Sequence, residues 1–120
     1  MKALIVDDAS LIRRSLKEIL DGSKYEFEFF EAVNGVEAVR MYKKNEPDFV
    51  IMDIMMPEMD GITAVSKIKE IDSEAKIIMC TSSGSEEKVR NAVSAGAADY
   101  IVKPYEAAKV ISAVEKVMNL

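Results

Sequence analysis

Five short apolar runs, separated by stretches whose apolar residues recur at helical spacing, constrain this chain more than any other feature. The runs are KALIV (2–6), EFEFFEA (26–32), DFVIMD (48–53), KIIMCT (76–81) and DYIVK (99–103). All but the second are continuous rather than alternating, which suits strands covered on both faces of a parallel sheet. The second reads as an edge strand. Between the runs lie five helical patterns: Leu11, Ile12, Leu16, Ile19 and Leu20; Ala38, Val39 and Tyr42; Ile62, Val65 and Ile68; Val89, Ala92 and Val93; and Ala107, Val110, Ile111, Val114, Val117 and Met118. Ser85 is the predicted N-cap of the fourth helix, with Glu86 and Glu87 favourably placed in its first turn. Breakers fall at Asp21-Gly22, Asn34-Gly35, Glu46-Pro47, Asp60-Gly61 and Ala95-Gly96. Five βα units joined by right-handed crossovers predict an α/β fold, an open, doubly wound sheet with helices on both faces. With no linker, low-complexity tract or internal repeat, a single domain spanning 1–120 is expected.

Composition narrows the function. The balance of 49% hydrophobic and 31% charged residues is that of a globular chain with one core. No apolar run approaches the roughly 20 residues of a membrane span, and Met1-Lys2-Ala3 opens without a signal peptide's apolar core, so a cytoplasmic location is expected and no membrane partner. Cys80 is the sole cysteine, which excludes an internal disulfide and predicts a reduced thiol buried in a strand. The chain has no His, which removes the usual general base and the commonest zinc ligand. Serine-type triads and His-based metal sites are thereby excluded. Acids and bases are interleaved at a net charge of −5, with no basic stripe, so direct nucleic-acid binding is not expected.

The acids at the strand ends carry the chemistry. In doubly wound folds ligands bind beyond the carboxyl ends of the strands, where strand order reverses. If the order is 2-1-3-4-5, Asp7 and Asp8 at the end of the first strand and Asp53 at the end of the third converge on one crevice. Three carboxylates a few ångströms apart repel one another unless a cation compensates them, and a hard divalent ion such as Mg²⁺ is the natural compensator. The plainer account of Asp7-Asp8 is a solvated turn that caps the next helix. Thr81 and Lys103, which end the fourth and fifth strands, bring a hydroxyl and an ammonium to the same rim. Pro104 biases Lys103 to an extended conformation and makes their bond a candidate cis peptide.

These motifs, VDD at 6–8, MDIMMPEMDG at 52–61, CTSS at 80–83 and DYIVKP at 99–104, identify the chain by resemblance. Over all 120 residues it resembles the receiver domains of two-component response regulators, in particular the stand-alone, CheY-like chemotaxis type. The strand order 2-1-3-4-5, flavodoxin-like in a three-layer α/β/α arrangement, rests on this resemblance, since chemotaxis receivers are themselves among the folds that define it. The resemblance implies that Asp53 is the phosphoacceptor, taking a phosphoryl group from a phosphohistidine on a CheA-like sensor histidine kinase. It implies a Mg²⁺ site of Asp7, Asp8, Asp53 and the backbone carbonyl of Met55, with Asp8 bound directly and Asp7 through water. Lys103 and Thr81 then neutralise and hydrogen-bond the transferring group. It further implies a switch in which Thr81 moves toward the phosphoryl group and Tyr100 turns inward; a plainer account makes Tyr100 an aromatic filling a strand position. The implied output is protein docking through the fourth helix, fifth strand and fifth helix, onto a flagellar or archaellar motor component, with a phosphatase as a further partner. No output segment follows the fifth helix before Leu120, so action by docking, or by passing phosphate onward, is expected; a monomer is expected as well.

Some positions depart from the chemotaxis pattern. Met55 replaces a common Asn, Ser82 stands where Ala is frequent, and Ser83 occupies another position that tunes phosphate lifetime. Met52, Met55, Met56 and Met59 are soft thioethers beside a hard site, so core filling and loop packing are expected of them rather than metal ligation. Two alternatives are an intermediate phosphate carrier in a multistep phosphorelay and a Mg²⁺-dependent aspartyl phosphohydrolase. The latter needs a second acid two residues after its nucleophile, where Met55 stands, so the chain is expected to be a signalling acceptor rather than an enzyme. A flavodoxin-like nucleotide binder is disfavoured because VDDAS offers acids where a phosphate wants amides.

Overall fold

A computed structural model describes residues 1–56, 58–82 and 86–120. The elements run β1 (Lys2–Val6), α1 (Ser10–Asp21), β2 (Glu28–Ala32), α2 (Gly35–Asn45), β3 (Phe49–Asp53), α3 (Gly61–Ile71), β4 (Ile77–Thr81), α4 (Glu86–Ala95), β5 (Asp99–Val102) and α5 (Ala107–Met118). All strand pairs are parallel and the order is β2-β1-β3-β4-β5, as expected of the doubly wound, flavodoxin-like fold. The register pairs Val6 with both Ala32 and Met52, Asp53 with Cys80, and Thr81 with Val102. Carboxyl ends of the strands are therefore level, and the residues that leave them share one rim.

Continuous apolar strands have a direct cause. Alternate residues face opposite sides, and both sides are cored. Leu4, Val6, Val50, Met52, Ile77 and Met79 meet Ala38 and Tyr42 of α2, Val65 and Ile68 of α3, and Ala92 of α4. Ala3, Ile5, Phe49, Ile51, Ile78 and Cys80 meet Leu16 and Leu20 of α1 and Val110 and Val114 of α5. Each fully buried Leu, Ile or Phe contributes on the order of 1.5–3 kcal/mol. The layers are thus α2, α3 and α4 on one face and α1 with α5 on the other. The α2–α3 pair is also tied by the Tyr42 hydroxyl, which donates to Asp72 Oδ2 at 2.7 Å.

Two expectations differ from the structure in detail. The second strand begins at Glu28 rather than residue 26, because Phe27 leaves the ladder and packs its ring against Phe29 and Phe49, with centroids 5.8 and 5.9 Å away. The fifth strand is not covered on both faces: Ile101 is buried, whereas Tyr100 and Val102 are 45% and 42% exposed. It forms the second edge of the sheet, and its outer residues face solvent beside α4. Asn34 and Asp60 prove to be N-caps, accepting from the amides of Glu37 and Thr63 at 2.8 Å. The N-cap expected at Ser85 and the lifetime position Ser83 lie outside the described residues.

Candidate acidic phosphoacceptor site

The leading edges of β1 and β3 build the site. Carboxylate oxygens of Asp7, Asp8 and Asp53 all lie within 4.8 Å of one another. Asp7 and Asp53 are buried, at 2% and 7% exposure, while Asp8 is open to solvent. Helix capping does not account for the pair. The N-cap of α1 is Ala9, which makes no side-chain cap bond, and Asp7 Oδ1 instead accepts from the Ala9 amide two residues on, at 2.9 Å. A solvated turn would leave Asp7 in water; here it lies in the crevice between β1 and β3.

The cation of the rim comes from β5. Lys103 Nζ stands 3.4 Å from Asp7 Oδ2 and 3.3 Å from Asp53 Oδ2. Its backbone amide donates to the carbonyl of Thr81 at 2.7 Å, so pairing with β4 carries one residue past the strand and aims the side chain along the rim. The Lys103–Pro104 peptide is cis. Burial disfavours the ammonium's charge, but the attraction of Asp53 and Asp7 outweighs it and holds the Lys103 pKa above the ordinary lysine value. For Asp7 burial dominates and raises the pKa, although the Ala9 amide and Lys103 oppose it. One ammonium against three carboxylates leaves net negative charge. Three hard oxygen donors, one of them open to water, fit a divalent ion such as Mg²⁺, and no soft ligand is present among them.

The remaining positions fall around this cluster. Thr81 ends β4 and is 4% exposed. Asp53 Oδ1 accepts from the Met55 amide at 3.2 Å, which draws the turn after β3 against the cluster. Met52 lies in the core and Met56 and Met59 pack against it, whereas Met55 is 59% exposed, its sulfur 3.0 Å from Lys88 Nζ. Ser82 is exposed and lines a groove with Ile12, Ser15 and Tyr105 beside Lys103. Tyr100 stands outward on β5, in a groove shared with Glu86, Val89, Arg90 and Val102. Cys80 is a free, buried thiol, as expected; its burial pushes its pKa up to about 12.

Two contributors escaped the sequence. Gly61 reads as a breaker, yet a Cβ there would lie 2.3 Å from the Asp53 carbonyl, so the start of α3 must approach the site as bare backbone. Arg13 belongs to none of the motifs or apolar patterns in the sequence, yet it donates to the Asp7 carbonyl at 2.7 Å and is largely buried. Its spacing of six residues from Asp7, one strand-exit turn and one helical turn later, is the only signal that could have marked it.

Fold and site together define a doubly wound α/β domain with an acidic, cation-ready pocket at its topological switch point. Residues 3–115 match the family described as response regulator receiver domain. The chain is 50% identical over 118 residues to the chemotaxis protein CheY of Bacillus subtilis (strain 168), covering 98% of each. It is 53% identical over 119 residues to CheY of Halobacterium salinarum, covering 98% of this chain and 97% of that one. Among solved structures, CheY in the CheX-CheY-BeF3-Mg²⁺ complex of Borrelia burgdorferi superposes with a TM-score of 0.90 at 39% identity, over 98% of this chain and 88% of that one. The chain belongs to the response regulator receiver family, and within it to the CheY-like type of two-component signalling. No helix among the described residues is long and apolar enough to cross a membrane.

Proposed function

We propose that this chain is a phosphorylation-controlled switch in which Asp53 accepts a phosphoryl group from a CheA-like sensor histidine kinase. The reading is carried by one observation: the Asp53 carboxylate is buried, is 3.3 Å from Lys103, and shares a 4.8 Å cluster with Asp7 and Asp8. One carboxylate oxygen of Asp53 attacks the phosphorus as the phosphorus–nitrogen bond to the donor imidazole breaks, and the electron pair of that bond leaves on the imidazole nitrogen. The transferring group is loose and highly charged, so catalysis is positioning and neutralisation. Lys103 supplies fixed positive charge at the Asp53 oxygen, and its raised pKa keeps it protonated. The Met55 amide holds the other oxygen and so orients the nucleophile. Thr81 donates its hydroxyl to a phosphoryl oxygen. Asp7, Asp8, Asp53 and the Met55 carbonyl would hold Mg²⁺, which, when bound, neutralises charge on the phosphoryl oxygens. The Borrelia complex, whose CheY superposes on this chain, contains both BeF3 and Mg²⁺.

Thr81 and Tyr100 form the proposed switch. Tyr100, nearly half exposed, has an outward position to leave, and Val102 beside it and Val93 on α4 are exposed apolar surface for a target. Phosphorylation biases a pre-existing equilibrium, and full inversion needs about 5.5 kcal/mol of differential stabilisation. We take the target to be a motor component docking on α4, β5 and α5, with the chain acting as one cytoplasmic, monomeric domain over 1–120. Self-catalysed gain and loss of phosphate does not make it an enzyme in this reading. Incubation with phosphorylated kinase or acetyl phosphate, followed by intact-mass detection, tests it. One phosphoryl group per chain, absent in Asp53→Ala and in the presence of EDTA, is expected. A label retained in Asp53→Ala, or sustained turnover of phosphate esters, sinks it.

A further inference from the structure

The turn that carries Asp7 and Asp8 is gripped by a side chain the phosphoryl chemistry does not use. Arg13, one helical turn into α1, is only 14% exposed. One terminal nitrogen donates to the backbone carbonyl of Asp7 at 2.7 Å, and Nε donates to Glu31 Oε1 at 2.9 Å. Glu31 sits on β2 opposite Ile5, two residues before Asp7, and its second oxygen accepts from Lys17 Nζ at 2.9 Å. The Asp7 amide meanwhile donates to the Ala32 carbonyl at 3.2 Å. The backbone N–H and C=O of Asp7 are thus both fixed, the first by the sheet and the second by Arg13. A rotation of the Asp7–Asp8 peptide that swings the exposed Asp8 out of the cluster must break the Arg13 bond. A guanidinium is planar with donors in fixed directions, so two bonds made at once hold a direction as well as a distance.

We infer that Arg13, anchored by Glu31, is a positioning residue that holds the Asp7–Asp8 turn in the geometry for binding a divalent cation. This rests on the reading of the acid cluster as a Mg²⁺ site. A purely electrostatic role predicts the opposite sign, because removing a positive charge near three carboxylates strengthens their attraction for a cation.

Magnesium chloride titrated calorimetrically into the full chain separates the two roles. The wild type is compared with Arg13→Gln, Arg13→Lys and Lys17→Gln, and each is also unfolded thermally in EDTA. In Arg13→Gln the Mg²⁺ Kd is expected to weaken about tenfold or more, the scale on which outer partners of metal ligands act. Arg13→Lys keeps the charge without the fork and is expected to stay weak. Lys17→Gln loses the same charge from the same carboxylate and is expected to remain within about twofold of wild type. An unchanged or tighter Kd in Arg13→Gln overturns the inference, as does an equal loss in Lys17→Gln or full recovery in Arg13→Lys. Should Arg13→Gln fail to fold, Glu31→Ala removes the anchor alone, and an unchanged Kd there overturns the inference equally. A wild type that binds no Mg²⁺ overturns the reading of the site and this inference with it; a normal wild-type titration beside an unaffected Arg13→Gln overturns the positioning role alone.

Discussion

Asp7 shows how a side chain proposed to hold a cation sets itself against stability. Its carboxyl is buried among two other acids, and burial raises its pKa above the ordinary 3.8. An acid whose folded-state pKa is raised holds its proton longer in the folded chain, so stability falls as pH rises through the window above 3.8 and stays reduced at neutrality. Asp7→Asn is therefore expected to melt higher than wild type in EDTA at pH 7, by a few degrees, about the effect of 1 kcal/mol in a chain of this size. A lower melting point would show that the Lys103 contact outweighs burial. Gly61 is bound by space rather than charge. An added Cβ meets the Asp53 carbonyl at 2.3 Å and the Ile54 Cα at 2.9 Å, both backbone that cannot swing aside. Gly61→Ala is expected to cost about 1–3 kcal/mol in denaturant unfolding, and to slow labelling by acetyl phosphate because relief displaces Asp53.

The strand β2 illustrates how an edge element is secured. Only one side of its ladder is paired, and Glu31 compensates by binding two cations of α1. The Lys17 hydrogen bond, followed by that of Arg13, holds the Glu31 carboxyl below its ordinary 4.5. A lowered acid contributes stability that is present above the unfolded value and is lost as pH falls through the folded one. Glu31→Gln is thus expected to flatten the fall in melting temperature below about pH 4.5 relative to wild type. A parallel acid limb in the two chains would mean that this pair adds nothing measurable, as exposed pairs often do. The opposite edge, β5, is secured differently. Its apolar run reads as a doubly covered strand, yet Tyr100 and Val102 face outward, because sheet position rather than composition decides how many faces a strand buries.

At the scale of the molecule, the two cores on either side of the sheet share its strands residue by residue, so they are expected to unfold in one transition. A cation that binds only the folded chain raises that transition by mass action, by about 2.7 kcal/mol at a hundredfold excess over Kd. Magnesium is expected to raise the melting temperature of wild type and not of Asp8→Asn; equal shifts in both would place the ion elsewhere. Much of this molecule was legible in its residues. Apolar runs of strand length, helical spacing between them and breakers at the joins determined a doubly wound α/β fold, because local periodicity fixes which faces each element must bury. The motifs around Asp7, Asp8, Asp53, Thr81 and Lys103 marked the rim on which those residues indeed gather. What the tertiary structure alone decided is everything that depends on neighbours distant along the chain: that Asp7 is buried rather than a solvated cap, that Gly61 must pass the Asp53 carbonyl, that β5 is half bare, and that Arg13 reaches back to hold Asp7. A sequence records the faces of each element, but a contact between elements exists only once sheet order and register have brought them together.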